Sequence, residues 1–80
     1  MGHEFSYIGV GRSHATAIDN LQSNLILAGY YITPVGDGQL EIGGYGYYHI
    51  ICKQKIMRAT DIIYEASLKY ITPPPTSHDN

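Results

Sequence analysis

The sequence predicts an α+β fold: a small antiparallel sheet in β-α-β-β order, one amphipathic helix packed on it, and a second, C-terminal helix. Three observations carry this. Apolar residues alternate with a period of two before residue 11 and again between residues 30 and 54, whereas between residues 14 and 28 they recur at helical spacing. Glycines at 9 and 11, 36 and 38, and 43, 44 and 46 punctuate these blocks. Past Lys55, the residues Ala59, Ile62, Ile63, Ala66 and Tyr70 fall on one face of a helix.

Taken in order, Glu4 to Val10 reads as a first strand, with Phe5 and Tyr7 on a common face. Ser13 is placed to cap a helix, because its hydroxyl can accept from orphan amides of the next turn. That helix, from Ser13 to Ala28, buries Ala17, Leu21 and Leu25, widened by Ala15 and Ile18, and turns Asp19, Asn20, Gln22 and Ser23 away. Gly29 stands where a left-handed cap would end it.

Tyr30 to Thr33 resumes strand chemistry, and Pro34 confines that strand to an edge, a bulge or an end. Gly36-Asp37-Gly38 is a turn signal, after which Leu40 and Ile42 alternate with Gln39 and Glu41. The glycines around Tyr45 leave two readings open, one long bent strand or two strands joined by a tight hairpin. Tyr47 to Gln54 is a further strand, aromatic and β-branched before it becomes charged. The last helix, over 56–71 with Thr60 as its cap, competes with a strand reading of Ser67 to Thr72, and it could swap onto a neighbouring copy through a hinge at Gln54 to Arg58. Residues 1–72 are thus expected to form one domain. The prolines at 73–75 end it and open a polar, disordered tail over 73–80.

The run Leu21, Leu25, Ala28-Gly29-Tyr30-Tyr31-Ile32 and then Tyr47-Tyr48-His49-Ile50-Ile51-Cys52-Lys53 resembles the short bacterial and phage domains of unknown function whose helix ends in Gly-Trp. The resemblance covers roughly Phe5 to Lys53; Tyr30 stands where that family commonly has Trp, and the segment from Ile56 to Ile71 is additional. It implies strand-helix-strand-strand topology and supplies no catalytic residue. At the level of fold alone the order is similar to dodecin-like proteins, which assemble into rings or shells and bind small ligands between subunits.

Eighty residues and 8.9 kDa give a thin core, and the lone Cys52 cannot form a disulfide within the chain. Association with further copies is the expected supplement. A net charge of −2 argues against a general nucleic-acid binder, so nucleic acid is not an expected partner. No apolar run is long enough to span a membrane and no signal segment opens the chain, which implies a cytoplasmic protein without a membrane partner.

Gly11, Arg12, Ser13 and His14 are the first candidates for chemistry. Glycine permits close approach, a helix N-terminus favours anions, and Arg12 can grip phosphate or carboxylate in a bidentate manner. The run lacks the dinucleotide fingerprint and the Lys-Ser/Thr of a nucleotide-hydrolase loop, and a plain strand-to-helix connection would use the same residues. Tyr45 and Tyr48 are candidates to meet a flat ring. Tyr47 and Tyr48 point to opposite faces of their strand, which suggests that one face meets the helix and the other a second subunit.

His3, His14, His49 and His78 share no metal-binding spacing, Cys52 carries no activating neighbour in sequence, and no cofactor is expected. Lys53, Lys55 and Arg58 form a basic segment that reads as a charged strand end discouraging edge pairing.

These features together point to a non-enzymatic, oligomeric small-ligand binder in the style of phage or mobile-element proteins. It would hold a nucleotide-type anionic ligand at subunit interfaces through Gly11, Arg12, Ser13, His14, Tyr45 and Tyr48. The alternative is a protein-interaction module or inhibitor acting through the tyrosine-rich strand or an open sheet edge.

Overall fold

The computed structural model describes residues 4–56, 58 and 61–72. Their order is β1 (Gly9–Gly11), α1 (His14–Leu27), β2 (Ile32–Pro34), β3 (Gln39–Ile42), β4 (Gly46–Ile56) and β5 (Ile62–Thr72). The strands form one antiparallel sheet in the order β1-β5-β4-β3-β2, so the first strand pairs with the last. α1 lies on one face, chiefly over β1 and β5.

Helix α1 begins and ends as the sequence requires. Ser13 caps it by accepting the Thr16 N–H at 3.1 Å. At its end Gly29, with φ of +97°, donates to the Ile26 carbonyl while Tyr30 donates to that of Leu25, which closes a Schellman motif. Ala17, Leu21 and Leu25 are fully buried, and they meet Leu40, Ile42, Tyr48, Ala66 and Leu68 from the sheet. Every one of those sheet residues has even parity, so a single pleat face makes the core.

The expected C-terminal helix does not form: Ile62–Thr72 is β5, paired with β4 along its whole length. The difference has a simple physical origin. Positions 62, 66 and 70 are four apart, which satisfies both a helical turn and a period of two. Tyr64 and Leu68 between them, and Glu65, Ser67 and Lys69 on the odd positions, decide for the strand. The glycine cluster at 43–46 resolves as a hairpin joining β3 to β4, with Tyr45 N–H donating to Ile42 O. The first strand is shorter than expected, because pairing with β5 covers only Gly9–Gly11 and the chain from Glu4 to Ile8 is irregular. The expected tail at 73–80 lies outside the described residues.

The other face of the sheet carries the odd-numbered residues of β3 to β5. Tyr47 is opposite Glu41, His49 opposite Lys69, Ile51 opposite Ser67 and Lys53 opposite Glu65. Charges interleave with the apolar side chains there, a composition that water can meet. Tyr48 is enclosed by the chain itself, and Tyr47 alone of the two faces outward, half-buried. The aromatic strand therefore does not by itself require a second copy to cover it.

Candidate functional site

At the junction of β1 and α1 the sequence chemistry is used for packing. A Cβ at Gly9 would lie 2.1 Å from Leu21 N and 2.2 Å from Ala17 O, and one at Gly11 would lie 2.7 Å from Ala17 N. The glycines thus admit the helix backbone onto β1. The Ser13 hydroxyl accepts from Thr16 N–H and donates to Thr16 Oγ1 at 3.0 Å, so it is engaged in both senses. Arg12 is exposed, and His14 sets its ring edge-on to Tyr64 with centroids 4.5 Å apart.

Tyr45 and Tyr48 lie elsewhere. Phe5, the only phenylalanine, is the hub of an aromatic cluster, with centroids 5.0 Å from Tyr30, 5.2 Å from Tyr45 and 5.3 Å from Tyr48, all edge to face. Tyr48 also meets Tyr70 at 5.6 Å. Gly11 pairs with Tyr64 and Tyr48 with Tyr70, positions six steps apart on β5, about 20 Å along the strand. One chain therefore brings Gly11, Arg12, Ser13 and His14 together and Tyr45 with Tyr48, but not the two groups with each other. No cavity opens among the described residues.

Burial pushes the phenols of Tyr30 and Tyr48 above their ordinary value of 10.0, reinforced for Tyr30 by Tyr7 and Tyr45 and for Tyr48 by Tyr70, Glu4 and Tyr45. The folded state thus holds these protons more tightly than the unfolded chain does. Their contribution is complete below the unfolded value and is lost as pH rises through the folded one. Denaturant midpoints are expected to fall above about pH 10, and the fall to flatten in Tyr30→Phe and Tyr48→Phe variants. An undiminished slope in both variants would refute the assignment.

What the sheet leaves open is an edge. The Ile50 N–H donates to Gly38 O at 2.7 Å on the side of β4 away from β5. Strand geometry puts the N–H and C=O groups of Cys52, Gln54 and Ile56 on that same side. Pairing with β3 stops at His49, so among the described residues no strand runs along the side of β4 away from β5 between Cys52 and Ile56.

The two outer edges are guarded. On β1 the side-chain amides of Asn20 and Asn24, one helical turn apart, donate to Val10 O at 2.6 Å and Ile8 O at 2.8 Å. On β2, Ile32 and Pro34 share the outward side, and Pro34 has no N–H to give.

The open stretch is basic and apolar. Lys53 and Lys55 line it on the outer face, Lys55 reaching Glu65 at 3.2 Å, and Ile56 and Ile62 at its far end are 67 % and 40 % exposed. These lysines are visible in the sequence but the edge is not, since it depends on β4 outlasting β3. Cys52 is half-buried opposite Ala66, and no cluster of metal-ligating side chains occurs among the described residues. Among the described residues no helix is long and apolar enough to cross a membrane. Compared with protein families, characterised proteins and solved structures, the chain matches none.

Proposed function

We propose that the protein is an interaction module that takes an extended segment of a partner protein as an added strand along β4, from Cys52 to Ile56. The observation that carries this reading is the row of outward backbone groups at Cys52, Gln54 and Ile56 with no strand beside it. Such a row is a template for strand addition, where main-chain hydrogen bonds supply affinity and alternate side chains supply selectivity. The guarded edges on β1 and β2 favour β4 over the two outermost strands as the place for a partner. A ligand held by Gly11, Arg12, Ser13 and His14 together with Tyr45 and Tyr48 is less well supported, since a second copy would have to supply one half of the site.

Amide hydrogen exchange on the purified protein tests the reading. The amides of Cys52, Gln54 and Ile56 are expected to exchange rapidly, while those of Lys53 and Lys55, directed at β5, are slow. Protection of Cys52 and Gln54 in the isolated protein would mean the edge is already covered, and would refute the proposal. Gln54→Pro removes an outward donor and leaves the β4–β5 ladder intact, so it is expected to retain the fold and lose the partner.

A further inference from the structure

Resting on that reading, we infer that the partner segment is acidic: an extended peptide alternating carboxylate and apolar side chains, with its carboxylates facing Lys53 and Lys55. A strand added to β4 would run about 4.8 Å from it. Its side chains on the outer face would meet Lys53 and Lys55 directly, two residues apart on one side of the pleat. Glu65, on β5 opposite Lys53, is the carboxylate that answers these lysines within the chain, and it holds the Lys55 Nζ at 3.2 Å. The added lane is therefore bordered by Lys53, which has no ion pair among the described residues, and by Lys55, which a partner carboxylate would share with Glu65. On the opposite pleat face it would meet Cys52, Gln54 and the largely exposed Ile56, which favours apolar residues at the alternate positions.

The same charges argue against a second copy as the occupant. An antiparallel register centred on Lys53 sets Lys53 opposite its own equivalent, and one centred on Gln54 sets Lys53 opposite Lys55. Like charges directly across a ladder are destabilising, so the lysines that reject self-pairing select a partner of opposite sign.

The test uses the full chain and two blocked peptides of about eight residues, one alternating Glu with Val and the other Lys with Val. Binding is followed by fluorescence anisotropy and by exchange protection at Cys52, Gln54 and Ile56. The acidic peptide is expected to bind at least about tenfold more tightly, to weaken with added salt, and to protect those three amides. In Lys53→Gln/Lys55→Gln the preference is expected to fall to near parity, and in Gln54→Pro the binding is expected to be lost.

Equal binding of both peptides with the amides protected would overturn the acidic partner while leaving strand addition standing. Acidic binding that leaves the three amides exchanging and survives Gln54→Pro would overturn strand addition itself. Binding of neither peptide would overturn both. A single-stranded oligonucleotide that binds through Lys53 and Lys55 where the acidic peptide does not would replace the protein segment with nucleic acid.

Discussion

Gly9→Ala is expected to destabilise the protein by about 3 kcal/mol or more, beyond the usual range for an overpacked side chain. The added Cβ would fall 2.1 Å from Leu21 N, 2.2 Å from Ala17 O and 2.7 Å from Leu21 Cα. All three atoms belong to the backbone of α1, so no rotamer change can relieve the contact, and the helix must lift from β1. A chain of this size has a total stability of only about 4–12 kcal/mol, so the loss removes about a quarter of it or more. Gly43→Ala is the control, since its Cβ would sit 3.5 Å from that of Tyr31 in ordinary contact. Urea unfolding followed by circular dichroism compares the two. A Gly9→Ala midpoint indistinguishable from that of wild type would mean that α1 does not rest on β1.

Tyr48→Ala is the second large effect, expected to cost about 3–5 kcal/mol. Tyr48 is the largest of the fully buried side chains and packs edge to face against both Phe5 and Tyr70. Its removal leaves a cavity bordered by rigid rings, which cannot collapse to fill it. Tyr45→Ala is expected to cost much less, because Tyr45 is 37 % exposed and borders the cluster from outside. This contrast separates a core role from a binding role: residues that jointly grip a ligand would lose binding without such unequal losses of stability. Comparable small losses in both variants would contradict the enclosed position of Tyr48.

The helix is legible in the sequence because its signals are local: a capping serine, a stripe at Ala17, Leu21 and Leu25, and a terminal glycine. β3 and β4 are legible for the same reason. β5 is obscured by side chains at 62, 66 and 70 that fit two periods at once. The role of Gly9 and Gly11 is hidden more deeply, since nothing near them in sequence reveals that α1 folds back across β1. Phe5 likewise gives no local sign that it gathers Tyr30, Tyr45 and Tyr48, which come from three later segments. The candidate interface is the least legible part. Lys53 and Lys55 are visible as charges, but an open edge is a difference between the lengths of neighbouring strands and belongs to no single stretch of chain.

The pairing of Gly9 with Ala66 bears on how the molecule comes into being. During synthesis the β1 segment must wait for more than fifty further residues before its ladder partner is made, although its contacts with α1, and those of Phe5 with Tyr30, Tyr45 and Tyr48, come from residues made sooner. The β4–β5 hairpin, by contrast, closes between near neighbours and can nucleate on its own. The later ribbon, β4 with β5, thus supplies a surface on which the earlier helix rests, and the two can meet only once both have been made.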